Sequence, residues 1–478
     1  MCPLRAGGIA LALVLGSCTS PGERPVADEG ARCPDLGDTP GSAGLGDPVL
    51  PFLGNGGYDV SHYSLDLTVD PARNRLSAVV AMEATATQEL TAFNLDFAGP
   101  PIRELTVNDR RAPFCRHEGE LTIVPGNSLS EGARFAVSVS YAGSPRPVLR
   151  PGAPGPEGWI HISDEQVSAG GLWGAETSYF PANATAQDKA TFLIRVTVPK
   201  PLGVAATGRL METVDHEGST TYVWESDVPT PSSRISFVTG RFVSEQRKGP
   251  GGLLIQNLFP PQTPKAVRGD LEMAVPIIET LSRFLGPFPF ETLGFTWVPG
   301  TPAETAIGAH MRIFVLNLPG LGDRDLAHEI GHQWFGNSVT PATSQDDWLS
   351  EGFATYTESL WTEHTLGPEH RDTLPGTWLT TLGDRTRPLA EVTGPEELGD
   401  HVTYLRGAAT LHALRLEVGD DTFFEILRRY AGDFRHASAK TEDFVAVAEE
   451  VIGHDMSRFF DAWLYQEAVP DIPGLGSS

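Results

Sequence analysis

Basic residues are scarce in this sequence, and they are not clustered. The chain has 35 lysines and arginines against 61 aspartates and glutamates, which gives a formal charge of −26. Because phosphate binding needs clustered cations, this balance disfavours a nucleic-acid-binding protein. The content of 40% hydrophobic and 20% charged residues is typical of a soluble globular protein, and 478 residues are too many for one ordinary core.

Long hydrophobic runs are missing as well. The apolar run at residues 9–15 is far shorter than the ~20 residues that a membrane span needs. It follows Arg5 and precedes the sequence LGSC, so it predicts a signal peptide over residues 1–17. Cys18 resembles the lipidated cysteine of a bacterial lipoprotein, and the alternative is an ordinary signal peptide with an incidental cysteine. We therefore expect an exported protein that is lipid-anchored to the outer face of the membrane, or secreted.

Cysteine is also rare, with four in the chain. Residues 18–50 are rich in proline, glycine, serine and aspartate, which predicts a flexible, lipid-anchored tether. Cys33 lies in this tether and Cys115 lies beyond it. In an exported protein these two cysteines could form one disulfide, and two free thiols are the alternative.

The hydrophobic pattern changes period part-way along the chain. Residues 51–245 alternate between apolar and polar side chains, which predicts an N-terminal all-β domain. The breakers in residues 246–263 suggest a linker. Residues 246–474 follow a mainly helical period, with strands expected at residues 295–298 and 312–316, so we predict a second, α+β domain. The clearest alternation is at Tyr63, Leu65, Leu67, Val69, Leu76, Ala78, Val80, Met82, Phe135, Val137, Val139, Tyr141, Phe192, Ile194, Val196 and Val198.

The sequence His328-Glu329-Ile330-Gly331-His332 carries the clearest chemical signal. On a helix its histidines lie one turn apart on one face, so both imidazoles can bind one zinc ion. Glu351, from a later segment, is the expected third ligand, which leaves a fourth position open for water. Glu329 is placed to take a proton from that water. The alternative is a chance match in a solvated helix, against which the apolar neighbours of the histidines argue.

The residues around this motif resemble the zinc aminopeptidases of the aminopeptidase N and leukotriene hydrolase type. The similarity is densest in AHEIGHQWFGN at residues 327–337 and WLSEGFA at residues 348–354. It extends to YDV at 58–60, YFP at 179–181, DKATF at 188–192 and FFDAWL at 459–464. The resemblance implies an N-terminal β-sandwich or saddle followed by a thermolysin-like catalytic domain. It also implies one Zn²⁺ per chain and peptide substrates with a free N-terminal amine.

The resemblance assigns two further residues. Glu304 stands where the family has the glutamate that binds the substrate's amine, and a carboxylate near a zinc cleft can pair with an ammonium group. Tyr404, in a sequence like the family's Y-x-K-G, would donate its phenolic proton to the oxyanion. Leu172 departs from the family, which usually has glutamine or glutamate there as a second anchor. The chain also ends soon after the catalytic domain, so we expect no C-terminal helical domain and a more open cleft.

Together these patterns predict a zinc aminopeptidase of the gluzincin type. Two alternatives remain from the sequence. A thermolysin-type endopeptidase would use the same zinc site to cut internal peptide bonds. Leu172 leaves this alternative open, because it stands where the family usually has the second anchor. A non-catalytic peptide-binding surface lipoprotein would need neither Glu329 nor Tyr404.

Overall fold

The computed structural model describes residues 35–149, 155–298, 308–309, 312–316, 322–383, 387–472 and 475. Its N-terminal half is built from strands that enclose one hydrophobic core. The eight-stranded sheet has the spatial order Arg209–Asp215, Ser219–Pro231, Lys189–Pro199, Tyr58–Asp70, Arg75–Ala86, Arg134–Gly143, Ile102–Val107 and Arg110–Arg111. A four-stranded sheet has the order Gly203–Ala206, Phe237–Gly240, Gln166–Gly170 and Gly158–Ser163. A three-stranded sheet has the order Phe93–Asp96, Glu120–Ile123 and Phe114–His117.

Alternation in the sequence explains this half. In strand Tyr58–Asp70 the residues Tyr63, Leu65, Leu67 and Val69 are all buried, while their neighbours are exposed or partly exposed. A strand with one buried face has this period of two, because successive side chains point to opposite faces. The other predicted alternating runs are buried in the same way. The prediction of an N-terminal β-rich domain is therefore confirmed.

The C-terminal half is mainly helical. Its helices are Lys265–Asp270, Ala274–Leu285, Asp323–Gly331, Trp348–Leu366, Thr373–Leu382, Gly407–Val418, Asp420–Asp433, Thr441–Ile452 and Ser457–Phe460, with π-helical turns at Val402–Arg406 and Asp461–Tyr465. The α-helices of this half pack around a second hydrophobic core. Short 3-10 turns occur in both halves of the protein, at Pro71–Arg73, Ala175–Ser178, Ser232–Arg234, Pro250–Gly252, Leu271–Met273, Ser344–Asp346, Pro368–His370 and Pro395–Glu397. No helix among the described residues has the length and apolar character to cross a membrane.

A mixed sheet belongs to this second half. Its order is Val243–Lys248, Leu254–Phe259, Phe295–Val298, Arg312–Leu316 and Gly308–Ala309, with Thr292–Leu293 also beside Leu254–Phe259. The strands predicted at residues 295–298 and 312–316 are therefore present. A two-stranded parallel ladder joins Thr340–Pro341 to Ser438–Ala439.

The predicted linker at residues 246–263 is wrong. This segment holds the end of strand Val243–Lys248 and all of strand Leu254–Phe259, which pair with each other. The glycines and the proline around residues 249–252 form the tight turn of this hairpin, with Gly251 and Gly252 at positive φ. The glycine and proline residues therefore form the turn of a hairpin and do not separate two domains. The predicted boundary at residue 246 falls inside the first of these strands.

The part of the predicted tether that the structure describes is ordered against both halves. Gly41 N–H donates to Ala92 O at 2.8 Å in the β domain. Asp47 accepts hydrogen bonds from the backbone N–H and the hydroxyl of Ser344 in the helical domain. Val49 is buried in a small apolar cluster with Val392 and Leu398. Residues 35–50 thus bridge the two halves, because a few apolar and acidic side chains find partners that composition does not reveal.

Candidate metal centre

Two helices bring the predicted zinc ligands together. The motif helix, Asp323–Gly331, buries Leu326, Ala327 and Ile330, so the opposite side carries the histidines. His332 follows its last residue but keeps the helical bond from its N–H to His328 O, at 3.1 Å. The ligand helix, Trp348–Leu366, carries Glu351 in its first turn. Burial of one helical stripe therefore points both imidazoles toward the neighbouring helix.

Close contact between the two helices lets Glu351 reach both histidines. Thr357 of the ligand helix donates its hydroxyl to Ala327 O of the motif helix at 2.9 Å. A Cβ on Gly331 would lie 2.6 Å from Thr357 Oγ1, so only glycine fits at this crossing. Gly331 is the glycine between Ile330 and His332 in the predicted zinc motif, and it lets the two helices pack closely.

The spacing of the three ligand atoms fits one zinc ion. Glu351 Oε2 lies 3.5 Å from His328 Nε2 and 3.3 Å from His332 Nε2. All three ligand atoms lie within 4.8 Å of one another. Ligands of a tetrahedral zinc, about 2.0–2.1 Å from the metal, are separated from each other by about 3.3–3.4 Å. The two measured carboxylate–imidazole separations are therefore those of ligands sharing one ion.

The other ring nitrogens of both histidines are also engaged. His328 Nδ1 donates to the Glu358 carboxylate at 3.0 Å, and His332 Nδ1 donates to the Phe335 carbonyl at 3.2 Å. A carboxylate or carbonyl acceptor requires a proton on Nδ1, which leaves a lone pair on Nε2 in both rings. Hydrogen bonds of this kind orient metal-binding histidines and raise their basicity. The three side chains therefore fit zinc both in the tautomers of the two imidazole rings and in the distances between their ligand atoms.

Glu329 and Tyr404 lie at the same centre. Burial raises the pKa of Glu329, and the nearby Glu351 raises it further, while the two histidines oppose this shift. Burial also raises the pKa of Tyr404 well above its usual range, and the carboxylates of Glu351 and Asp347 add to the effect. The Tyr404 ring lies 5.9 Å from the His328 ring, nearly parallel to it. The phenol therefore stays protonated and can act as a hydrogen-bond donor.

A second glycine contact places Tyr404. A Cβ on Gly352 of the ligand helix would lie 2.8 Å from the Cα of Gly407. The two backbones can approach this closely only because both residues are glycine. Gly407 follows the π-helical turn Val402–Arg406, which carries Tyr404. The buried guanidinium of Arg406 fixes this turn by donating to backbone carbonyls, including Trp463 O at 3.0 Å.

The family comparison agrees with this geometry. The model described as the peptidase family M1 domain matches residues 324–463, which include all three ligands and Tyr404. Residues 324–463 are therefore similar to a peptidase family M1 domain. Aminopeptidase M1-A of Oryza sativa is 33% identical over 155 residues, covering 30% of this chain and 18% of the rice protein. Leucine aminopeptidase 2 of Aspergillus oryzae is 25% identical over 330 residues, covering 63% of this chain and 52% of the fungal protein.

Solved structures extend the similarity beyond the M1 domain. An M1 zinc metallopeptidase from Deinococcus radiodurans matches with a TM-score of 0.84 and 28% identity, over 90% of this chain and 99% of that chain. The native yeast LTA4 hydrolase matches with a TM-score of 0.73 and 21% identity, over 88% of this chain and 69% of that chain. The first match supports the arrangement of a β-rich half followed by a helical catalytic half. The chain spans from 18% to about half the length of the two curated relatives named above.

The structure brings together most of the residues predicted for the zinc site. His328, His332, Glu351, Glu329 and Tyr404 meet at one centre. Glu304, the predicted amine-binding residue, lies outside the described residues, as do Cys18 and Cys33.

Two other predicted positions lie within the described chain. Cys115 is disulfide-bonded, and its pairing with Cys33 stays a prediction. Leu172 lines a cleft between the two halves of the protein, together with Trp173, Arg234 and Asp347.

Sequence reasoning missed the groups that orient the ligands. Glu358 carries a signal that could have found it, because it follows Glu351 by seven residues and therefore lies on the same face of the ligand helix. The Phe335 carbonyl has no such signal, since it is a backbone atom whose direction depends on the turn after the motif helix.

Proposed function

We propose that this protein is a zinc-dependent aminopeptidase that hydrolyses the N-terminal peptide bond of peptides. The observation that carries the proposal is the spacing of His328, His332 and Glu351, with both Nδ1 atoms engaged, beside Glu329 and Tyr404. The names of the curated relatives support aminopeptidase activity, and the Deinococcus M1 zinc metallopeptidase supports the metal. A related Deinococcus structure, of a variant bound to a Tyr-Ser-Ala substrate, supports peptides as substrates.

In this proposal the two histidines and Glu351 hold the metal. A zinc ion bound there supplies a Lewis acid and an activated water. Glu329, whose pKa is raised by burial, takes the proton from the attacking water and passes it to the nitrogen of the leaving amine. Tyr404 donates its O–H to the carbonyl oxygen as negative charge develops on it.

Recognition of the free amine rests on Glu304 in this proposal. Its support is the sequence resemblance and the pairing of a carboxylate with an ammonium group. Such a contact would place the first peptide bond at the metal centre and so supply orientation. The thermolysin-like character of the catalytic half belongs to the same proposal and is supported by the H-E-x-x-H helix followed by a glutamate on a second helix.

We also propose export and lipid anchoring through Cys18, with residues 1–17 as signal peptide. The support is the apolar run followed by LGSC in the sequence. The domains proposed are an N-terminal β domain and a catalytic domain, with the boundary moved from residue 246 to the start of strand Val243–Lys248, which pairs with Leu254–Phe259.

Hydrolysis of paired aminoacyl reporters tests the enzymatic proposal. Each reporter is offered with a free and with an acylated α-amine, before and after treatment with a zinc chelator. We expect turnover of the free-amine reporters only, its loss with the chelator and its return with added zinc. Equal turnover of blocked and free peptides would instead indicate an endopeptidase, and zinc binding without turnover of any peptide would indicate a binding protein.

A further inference from the structure

The turn after the motif helix holds one of the metal ligands in place. We call residues 335–339 the ligand turn. Its first carbonyl, Phe335 O, accepts the hydrogen bond from His332 Nδ1 at 3.2 Å. Gly336 N–H donates to Val339 O at 2.7 Å, and Asn337 N–H donates to His332 O at 3.0 Å. The direction of the Phe335 carbonyl depends on the shape of this turn. The turn therefore helps to orient the His332 ring, together with Ser350 Oγ, which lies 3.3 Å from His332 Nδ1.

Two cations of the β domain reach across to the ligand turn. Lys189 Nζ donates to Ser338 O at 3.0 Å and to Ala437 O at 2.7 Å. Arg234 donates from Nη2 to Gly336 O at 3.3 Å. Lys189 begins strand Lys189–Pro199 and Arg234 ends the short turn Ser232–Arg234, so both come from the domain that carries none of the metal ligands.

The surroundings of these cations explain why they point this way. Burial lowers the pKa of Lys189, and the neighbouring Arg234 lowers it further. Burial lowers the pKa of Arg234, while the carboxylates of Glu351 and Asp347 raise it. Two clustered cations are costly to bury unless they donate to oxygen atoms and face negative charge. The turn carbonyls accept from both side chains, and the carboxylates of the metal centre face Arg234.

Resting on the proposed zinc centre, we infer that Lys189 and Arg234 are positioning residues for the metal ligand His332. They hold the Gly336 and Ser338 carbonyls and thereby fix the ligand turn. The ligand turn keeps the Phe335 carbonyl within hydrogen-bond distance of His332 Nδ1. The lone pair of His332 Nε2 then points toward the metal site. In this way the β domain completes the metal centre of the catalytic domain without contributing a ligand to it.

Two contacts that do not involve the ligand turn supply matched controls, one between the two halves and one within the β domain. Ser438 donates its hydroxyl to Ala186 O across the interface. Lys200 is a lysine of the same domain that pairs with Asp215 on the surface, at 3.2 Å. Ser438→Ala therefore tests loss of an interface hydrogen bond, and Lys200→Met tests loss of a lysine charge.

Metal binding to the full-length chain tests the inference. Lys189→Met, Arg234→Met and the two controls are compared by zinc competition with a chromophoric chelator and by the visible spectrum of the cobalt-substituted protein, which reports coordination geometry. Hydrogen bonds that orient ligands typically change metal affinity by about 10- to 100-fold. We expect a loss in this range and an altered cobalt spectrum for both test variants, with neither change in the controls. Arg234→Lys, which keeps a donor, should recover part of the affinity.

The outcomes separate this inference from simple adhesion between domains. Wild-type zinc affinity and cobalt spectrum in both folded test variants would overturn it, even if thermal stability fell. An equal loss of affinity in Ser438→Ala would also overturn it, because that variant loosens the interface and leaves the turn contacts in place. If either methionine variant fails to fold by near-ultraviolet circular dichroism, Arg234→Lys decides. An intermediate loss of zinc affinity in Arg234→Lys supports the donor role, and wild-type values of both readouts overturn it. A wild-type protein that binds no zinc would overturn the proposed function itself.

Discussion

Glu358 offers a sharp test of the metal centre, because it binds no metal in this arrangement. Its carboxylate accepts the Nδ1 proton of His328 at 3.0 Å, and the two side chains are only 21% and 12% exposed. A pair this far from solvent is screened less than a surface ion pair. Glu358→Ala removes the acceptor and leaves a buried imidazole N–H without its partner, whereas Glu358→Gln keeps an acceptor oxygen and removes the charge.

The expected magnitude follows from that contact. Loss of an outer partner of a metal-binding histidine typically costs about 10- to 100-fold in metal affinity, which is about 1.4–2.8 kcal/mol. We expect the loss of zinc affinity in Glu358→Ala to lie near the upper end of this range, since the variant also leaves a donor unsatisfied. The loss in Glu358→Gln should lie near the lower end. Turnover at saturating zinc should fall less than zinc affinity, because the three ligands remain.

Zinc dissociation constants, measured by competition with a chromophoric chelator, provide the assay. Glu442→Gln is the matched control, because Glu442 is an exposed glutamate on helix Thr441–Ile452. An affinity equal to that of the wild type in both Glu358 variants would refute the reasoning. It would mean that the His328 tautomer is fixed without the carboxylate.

Three further predictions address the same centre. Glu329→Gln should lower kcat by at least about 100-fold while the protein still binds one zinc, as measured by steady-state kinetics and metal analysis; full activity with bound zinc would remove Glu329 from proton transfer. Tyr404→Phe should lower kcat by about 100-fold or more with an unchanged melting temperature, and near-normal turnover would show that its O–H does not stabilise the transition state. Gly336→Ala should destabilise the fold by about 1–3 kcal/mol and weaken zinc binding, because Gly336 has a φ of 114° and a Cβ there would collide with Ser350 Oγ. A melting temperature equal to that of the wild type would contradict this account of the ligand turn.

Local patterns predicted much of the fold. The alternation in residues 58–69 depends on which residues a strand buries, and it can be read without knowing the partner strands. The helical period predicted for the second half holds in helix Ala274–Leu285, which buries Ala274, Ile277, Ile278, Thr280, Leu281 and Leu285. The segment at residues 246–263 was misread because glycine and proline mark a hairpin turn and a linker equally well. Only the pairing of Val243–Lys248 with Leu254–Phe259 separates the two.

By itself, the sequence determined the chemistry of the centre: two histidines one helical turn apart, a glutamate between them, and a third ligand 19 positions beyond His332. That was possible because helix geometry fixes the relative positions of residues close together in the chain. The tertiary structure decided which groups orient those ligands. Glu358 meets His328 through helix packing, and Lys189 and Arg234 arrive from another domain, more than 90 positions before the turn they hold. The spacing of Glu358 from Glu351 indicates a shared helix face, but no local pattern in the chain encodes the contacts of Lys189 and Arg234, because these depend on how whole elements pack.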